Sequence, residues 1–156
     1  MVKTRSKFNV DTTDRGRQKR TYKGVLYASE LEMKYFKEFI EPKLESGEII
    51  NVDKQVKYQL QPAFDDMNGK HYREMNYVSD FDITYSDGTF KVIDVKGMLK
   101  NEDKIKEKLF KYHYPEIDFE FIGKSNLDGG WVSIDKIIQG RKQRKKDKQY
   151  KLKGEI

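Results

Sequence analysis

The segment that most restricts the fold is SDFDITYSDGTFKVIDVKG, residues 79–97, in which two runs of strand-forming residues flank the turn sequence Ser86-Asp87-Gly88. A short glycine-containing turn between two alternating runs is typical of a β-hairpin. We therefore predict strands over residues 77–85 and 89–96. The acidic residues of these strands require a further explanation, because a carboxylate near a core is costly unless it is paired or binds a metal.

Strand parity places these acidic residues. Side chains two positions apart share a face, so Asp80 lies with Asp82 on the first strand, and Asp94 lies with Lys96 on the second. A three-residue turn brings Asp80 beside Asp94. Clustered carboxylates suit Mg²⁺ or Mn²⁺, which can activate water and stabilise charge on a phosphodiester. The alternative is an exposed hairpin with Asp–Lys cross-strand pairs, each contributing about 0.2–1 kcal/mol.

A helix is predicted over ASELEMKYFKEFIEPKLESGEI, with Ser29 as its N-cap and Gly47 as its stop. Pro42 is expected to kink or end its regular part. Ser29-x-x-Glu32 has the form of a capping box. Glu32 also falls on the apolar side of the helix near Phe36, so it could cap the helix and bind a metal.

Further elements follow from periodicity and turn residues. In chain order they are a strand over 49–60, a loop over 62–76, a helix over 102–113 with Ile105, Leu109 and Tyr112 inside, a strand over 117–123, and a short helix over 133–140 with Ile134, Ile137 and Ile138 inside. The order α-β-β-β-α-β predicts an α/β fold with a mixed sheet flanked by helices.

Charge is divided between the ends and the middle of the chain. Residues 1–24 have a net charge of +6 and residues 136–156 of +7, whereas residues 25–135 have a net charge of −7. Basic ends around an acidic body fit a protein that binds a polyanion such as nucleic acid. The alternative is that basic tails only keep the protein soluble.

We therefore predict a basic flexible N-terminal arm over 1–24, a core domain over 25–140 and a basic C-terminal tail over 141–156. No apolar run is long enough to span a membrane, and no cysteine is present, so a soluble cytoplasmic protein is expected. DNA contacts are expected from basic side chains of both arms and from one side of helix 102–113, although the latter could be only a solvated face: Arg15, Arg17, Lys19, Arg20, Lys100, Lys104, Arg141, Lys142, Arg144, Lys145 and Lys146.

Three short motifs, Ser29-x-x-Glu32, Asp80-Phe81 and Asp94-x-Lys96-Gly97, occur here in an order and spacing that resemble the PD-(D/E)xK nuclease superfamily. Within it, the chain is similar to phage Holliday-junction resolvases of the endonuclease I type and related small phage-encoded nucleases. The resemblance implies a restriction-endonuclease-like core. It also implies metal ligation by Glu32, Asp80, Asp94 and the Val95 carbonyl, with Lys96 as the catalytic lysine.

Two residues depart from the family pattern, and the roles of two glutamines on the preceding strand stay open. Ser79 stands where the family has proline. Asp82 is the alternative to Asp80 as the central metal-binding acid, or it could contact the metal ligands without binding the metal itself. Gln55 and Gln59 on the preceding strand could reach the site or DNA, although a polar outer strand face is the simpler interpretation.

The resemblance implies a metal-dependent DNA endonuclease that uses Mg²⁺ (or Mn²⁺) to hydrolyse phosphodiester bonds in branched DNA such as four-way junctions. It further implies a homodimer, and the cytoplasm of a bacterial host if the protein is phage-encoded. The alternatives are a less structure-selective phage nuclease and a non-catalytic DNA-binding accessory protein.

Overall fold

The computed structural model describes residues 10–152 and 154 of the chain. The protein has a mixed α/β fold with helices and a five-stranded mixed sheet. It divides into two compact units: Met1–Val52 with Ile83–Thr89, and Asp53–Asp82 with Phe90–Ile156.

Regular structure begins early in the first unit. Helix α1 spans Asp14–Lys19, and strands β1 (Thr21–Tyr22) and β2 (Val25–Leu26) pair antiparallel. Thr13 caps α1, because its Oγ1 accepts a hydrogen bond from the Gly16 amide at 3.2 Å. Residues 14–22 of the predicted flexible arm thus contain a short helix and a strand, with Thr13 as the local N-cap, although they have no apolar periodicity. Residues 1–9 of that arm lie outside the described part.

The predicted long helix is confirmed as a continuous helical stretch in three parts. Helix α2 spans Glu30–Tyr35, a π-helical segment spans Phe36–Ile40, and helix α3 spans Glu41–Glu45. The amide of Glu41 donates to the Phe36 carbonyl five residues earlier. This wide turn comes immediately before Pro42, which has no amide hydrogen and crowds the carbonyl four residues earlier. The irregularity expected at Pro42 is thus a π turn.

The strand predicted over 49–60 is two strands. Strand β3 spans Ile49–Lys54 and strand β4 spans Lys57–Gln61, and Gln55 between them has a φ of 55° in the left-handed region. This turn of the backbone separates β3 from β4, so the two strands do not form one continuous strand, although the apolar alternation continues across the turn. The pattern of alternation alone does not reveal such a break.

The predicted loop over 62–76 also contains strands. Strands β5 (Phe64–Asp65) and β6 (His71–Tyr72) pair antiparallel, and β7 (Met75–Val78) pairs antiparallel with β4. Phe64 stacks on Tyr72 with ring centroids 4.9 Å apart. Together the strands from Lys57 to Val78 form one interrupted hairpin.

The first strand of the predicted 77–85/89–96 hairpin is likewise divided. Strand β7 ends at Val78, and strand β8 spans Phe81–Tyr85. The Ser79 amide donates to the Val56 carbonyl at 2.9 Å, whereas the next amide, of Asp80, donates to the Ile93 carbonyl at 3.1 Å. Asp80 therefore lies where the chain passes from one ladder to the next, and not within a strand.

The remaining elements complete the sheet. Strand β9 spans Phe90–Val95, helix α4 spans Asn101–His113, strand β10 spans Asp118–Ser125 and strand β11 spans Gly130–Ser133. Strand β10 is parallel to β9 and antiparallel to β11, and the strand order is β11-β10-β9-β8-β3. The adjacent β8 and β9 confirm the predicted hairpin partners, and α4 is the crossover between the two parallel strands.

The core of the second unit lies between α4, the sheet and the final helix. Its fully or nearly fully buried members are Leu60, Tyr77, Val92, Phe110, Phe119, Phe121, Ile134 and Ile137. Phe110 is the buried apolar residue of α4, while Ile105 and Tyr112 are 60 % and 79 % exposed. The predicted inner stripe of this helix is therefore wrong for Ile105 and Tyr112.

The final helix α5 spans Ile134–Leu152, which is much longer than the predicted 133–140. Ile134 and Ile137 are buried as expected. The predicted basic tail is helical up to Leu152, and residues 153, 155 and 156 lie outside the described part. In the described residues no helix is long and apolar enough to cross a lipid bilayer.

Candidate functional site

The structure brings Asp80, Asp94 and Lys96 of the second unit together at the end of β9. Asp80 accepts a hydrogen bond from the Val95 amide through Oδ2 at 2.7 Å. Lys96 Nζ lies 3.3 Å from Asp94 Oδ1. These contacts place two acidic groups and one ammonium group around a single strand end. Strand parity predicted the common face of Asp94 and Lys96, whereas Asp80 reaches this end from the junction between two ladders.

Asp94 is a buried carboxylate whose two oxygens have different partners. It is 5 % exposed, and its Oδ2 accepts the Tyr77 hydroxyl at 3.0 Å. Its buried Oδ1 has no hydrogen-bond partner among the described residues apart from the ion pair with Lys96. Burial raises the pKa of Asp94, and both Lys96 and the Tyr77 hydroxyl oppose that rise.

Lys96 lies between two carboxylates. Its Nζ is 3.3 Å from Asp94 Oδ1 and 3.4 Å from Asp103 Oδ1. Burial lowers the pKa of Lys96, but the charges of Asp94, Asp103 and Asp80 outweigh that effect and the pKa is raised. In this arrangement Lys96 is an ammonium group, able to donate hydrogen bonds to an anion and to neutralise its charge.

Asp103 was not identified from the sequence. It is the third residue of α4, it is 9 % exposed, and its Oδ2 accepts the Lys100 amide at 2.7 Å. An acid in a first helical turn is an ordinary capping residue. Only the path of the chain from β9 into α4 shows that its second oxygen reaches Lys96. Tyr77 was missed for a similar reason, because its strand was assigned to the wrong ladder.

Asp82 occupies a separate environment. It is 3 % exposed, and the Tyr58 hydroxyl donates to its Oδ2. Burial raises the pKa of Asp82, and the hydrogen bonds from Tyr58 and Ser79 oppose that rise. Of the two candidates for the central acid, Asp80 is therefore the one whose carboxylate reaches β9, while Asp82 is held by Tyr58.

The two glutamines have different positions. Gln55 lies in the turn after β3, and its amide nitrogen is 3.5 Å from the Asp80 carbonyl, so it contacts Asp80 through the backbone. Gln59 is on β4, and its Nε2 donates to exposed Glu74 at 3.2 Å. Gln59 thus fits the polar outer strand face, and Gln55 supports the turn beside Asp80.

Glu32 belongs to the first unit. Its amide donates to Ser29 Oγ at 3.1 Å, and its Oε1 accepts from the same hydroxyl at 2.9 Å. The side chain is 8 % exposed, which confirms that it faces inward on its helix. Its role as a metal ligand stays a prediction from the sequence.

The basic residues of the N-terminal segment divide into two groups. Arg15, Arg17 and Lys19 are exposed on α1. Arg20 is half-buried, and its guanidinium donates to the Tyr27 carbonyl at 2.6 Å. Arg20 therefore has a structural contact of its own, and the other three side chains are the better candidates for phosphate contacts.

The basic residues of α4 and α5 also fall into two groups. The side chains exposed to solvent are Lys100 and Lys104 at the start of α4, and Arg141, Lys142, Lys145 and Lys146 on α5. Arg144 instead forms a bidentate pair with Asp128, with nitrogen–oxygen distances of 2.6 and 3.1 Å. That pair links α5 to the turn before β11, and the DNA contact by Arg144 stays a prediction.

The carboxylates of the cluster are oxygen donors of the type that Mg²⁺ prefers. Among residues 10–152 and 154, no group of three or more acidic, histidine or cysteine side chains is arranged to hold an ion. Mg²⁺ keeps several waters in proteins and is usually held by one or two carboxylates together with substrate phosphates. Asp80 and Asp94 are the two carboxylates at this strand end, and the backbone carbonyl of Val95 follows Asp94 directly in the chain.

The fold and the site define a mixed α/β protein with a carboxylate–lysine cluster at a strand end. The chain belongs to the DUF1064 family, which is described as a protein family of unknown function and whose model matches residues 13–128. The matched range includes all the residues of the cluster and ends before α5. Comparison with curated proteins and with solved structures gave no match.

Proposed function

We propose that the protein is a metal-dependent DNA endonuclease with a restriction-endonuclease-like core, which hydrolyses phosphodiester bonds in branched DNA such as four-way junctions. The observation that carries the proposal is the convergence of Asp80, Asp94 and Lys96 at the end of β9. Two acids and a lysine at one strand end would provide the groups that phosphodiester hydrolysis needs: ligands for a divalent cation and a positive charge for the phosphate.

Asp80 and Asp94, with the Val95 carbonyl, would hold Mg²⁺ or Mn²⁺. When bound, such an ion activates the attacking water and stabilises the charge that develops on the phosphate. Hydrogen bonds from the Val95 amide and the Tyr77 hydroxyl orient the two carboxylates before any ligand arrives. The resemblance adds Glu32 as a ligand on sequence grounds alone.

Lys96 would contact the scissile phosphate. Its ammonium group donates hydrogen bonds to a non-bridging phosphate oxygen and offsets the negative charge that grows during attack. The neighbouring carboxylates keep it protonated and hold it at the strand end. A neutral side chain at this position would lack that charge.

The exposed basic side chains of α1, α4 and α5 would contact DNA phosphates. Such contacts give affinity without sequence choice, and they weaken as salt concentration rises. Cutting both strands of a four-way junction requires two active sites, so a homodimer is part of the proposal.

The test is a cleavage panel with linear, flap, splayed and four-way DNAs in Mg²⁺ and in Mn²⁺. We expect the four-way junction to be nicked well above linear duplex, and we expect Asp94→Asn and Lys96→Ala to abolish nicking while DNA binding in EDTA persists. Lys43→Ala is the matched control, because Lys43 also pairs with a carboxylate, Glu48 at 2.5 Å, but lies in the first unit.

Two results would change the assignment. Equal cutting of linear and branched DNA would replace the junction resolvase with a less structure-selective nuclease. DNA binding with no cutting of any substrate in either metal would favour a non-catalytic DNA-binding accessory protein.

A further inference from the structure

We propose that Asp103 is a positioning residue for Lys96, which holds the ammonium group at the site from the start of α4. The inference rests on the proposed function for its catalytic consequence. Its geometric part, that Asp103 orders the Lys96 side chain, can be tested without any activity.

The two oxygens of Asp103 have different partners. Oδ2 accepts the Lys100 amide at 2.7 Å, and the Asp103 amide donates to the Lys100 carbonyl at 3.1 Å. Oδ1 lies 3.4 Å from Lys96 Nζ. The helix start therefore fixes the carboxylate, and the fixed carboxylate has one oxygen directed at the lysine.

A lysine needs such a contact if it is to act from a fixed position. Its four-carbon chain loses rotamer entropy when it is held in one conformation. Lys96 is only partly covered, with 31 % of its side chain exposed, so packing alone does not fix it. Two carboxylates within 3.4 Å of Nζ supply the restraint.

The two carboxylates are not equivalent in the proposed reaction. Asp94 is also a proposed ligand of the divalent cation, and a cation there would compete with Lys96 for Asp94 Oδ1. Asp103 lies outside the proposed ligand set: its Oδ2 accepts the Lys100 amide of the helix cap, and its Oδ1 faces Lys96. Asp103 would therefore be the partner that retains Lys96 when a cation is bound.

The variant that isolates this role is Asp103→Asn. The asparagine side-chain oxygen can still accept the Lys100 amide, so the cap is kept while the negative charge is lost. Glu102→Gln is the matched control, because Glu102 is an exposed acid in the same helical turn and has the same charge change. Asp103→Glu and Asp103→Gln form a second pair, both compatible with a capping box and different only in charge.

The first measurement is the NMR order parameter of the Lys96 ε-methylene group, assigned with Lys96→Ala. We expect it to fall in Asp103→Asn and in Asp103→Gln, and to stay near the wild-type value in Glu102→Gln and Asp103→Glu. This readout is independent of cleavage, so it decides the positioning role even if the protein cuts no DNA. An unchanged order parameter in both neutral variants overturns the proposal.

The second measurement is the single-turnover cleavage rate of the four-way junction, with Mn²⁺ and DNA affinities determined in parallel. We expect Asp103→Asn to slow cleavage on the order of 10-fold or more, the size of effect typical for residues that orient catalytic groups. Both affinities should stay within about twofold, since Asp103 acts through Lys96. If Asp103→Asn does not fold, the comparison of Asp103→Glu with Asp103→Gln replaces it. Equal cleavage rates and equal Lys96 order parameters in these two variants would refute the positioning role of Asp103.

Discussion

Replacing Tyr77 by phenylalanine removes one hydrogen bond from the centre of the site. The Tyr77 hydroxyl donates to Asp94 Oδ2 at 3.0 Å, and both residues are 5 % exposed. The ring packs against Phe110 and Phe119 with centroid distances of 5.5 and 5.3 Å, and phenylalanine retains these contacts. The substitution therefore tests the hydroxyl group without creating a cavity in the core.

The magnitude follows from the charge of the acceptor. A hydrogen bond to a charged group contributes about 1.5–3 kcal/mol net, more than a bond between neutral groups. Because Asp94 Oδ1 has no hydrogen-bond partner in the described part of the chain, the variant carboxylate keeps only its ion pair with Lys96. We expect Tyr77→Phe to lower the free energy of unfolding by about 2 kcal/mol at pH 7, a midpoint shift of about 1 M in urea.

The loss should depend on pH. Burial raises the pKa of Asp94 in the folded protein, so the ionised carboxylate costs stability as pH rises through its folded-state pKa. The Tyr77 hydroxyl opposes that rise, because it stabilises the charged form. The effect of Tyr77→Phe is therefore largest above the folded-state pKa of Asp94, and it shrinks as the carboxyl group becomes protonated at lower pH.

Urea unfolding followed by circular dichroism, from pH 3 to pH 8, measures both effects. The control is Tyr114→Phe, which removes a hydroxyl bond of 2.9 Å to the neutral Gln59 carbonyl and should cost less than about 1 kcal/mol. In an Asp94→Asn background the cost of Tyr77→Phe should also fall. The same loss in both backgrounds, or a loss that does not change with pH, would refute the reasoning.

Three further outcomes are expected from single substitutions. Phe110→Ala should lower the free energy of unfolding by about 3–5 kcal/mol, because Phe110 is fully buried, and a loss below about 1 kcal/mol in urea unfolding would contradict its place in the core. Gly140→Ala should lower the thermal midpoint although alanine usually favours a helix by about 1 kcal/mol, because a Cβ there would lie 2.0 Å from Asp128 Oδ1; a raised midpoint would contradict this close approach. Arg144 lowers the pKa of Asp128 from 3.8 to about 2, so the stability it confers is present above pH 3.8 and is lost as pH falls toward 2. Arg144→Gln removes this pair, so the thermal midpoint of the variant should fall less than that of the wild type as pH is lowered from 3.8 to about 2. An equal fall in the two proteins would contradict the pairing.

Local signals in the sequence were sufficient for several elements. The N-cap at Ser29, the stop at Gly47 and the turn before strand β9 each depend on a few neighbouring residues, and the structure contains all three. Strand parity likewise placed Asp94 and Lys96 on one face, where they form an ion pair. These features require no knowledge of which elements pack together.

The predictions from the sequence were wrong where contacts between distant elements determine the structure. Alternation predicts a strand, but it does not say which ladder the strand joins, so the breaks at Gln55 and Ser79 were missed. The C-terminal part of α5 has no apolar stripe, and its contacts are polar: Arg144 with Asp128, and Gln143 with Asp147 at 2.9 Å. A polar helix of this kind is not distinguished from a basic tail by hydrophobic periodicity.

The unexpected β4–β7 ladder accounts for the chemistry of the buried acids. Tyr58 and Tyr77 are cross-strand partners in this ladder. One hydroxyl donates to Asp82 and the other to Asp94, the two buried carboxylates of this unit that have an oxygen without a hydrogen-bond partner among the described residues.

Both tyrosine rings also pack on Phe110, at centroid distances of 4.9 and 5.5 Å. Burying charged groups costs stability, and a pair of hydroxyl donors held by a packed aromatic cluster offsets part of that cost. For Asp94, the ion pair of its other oxygen with Lys96 offsets a further part. The separate ladder therefore supplies the hydroxyl group that opposes the rise in the pKa of Asp94 and orients its carboxylate beside Lys96.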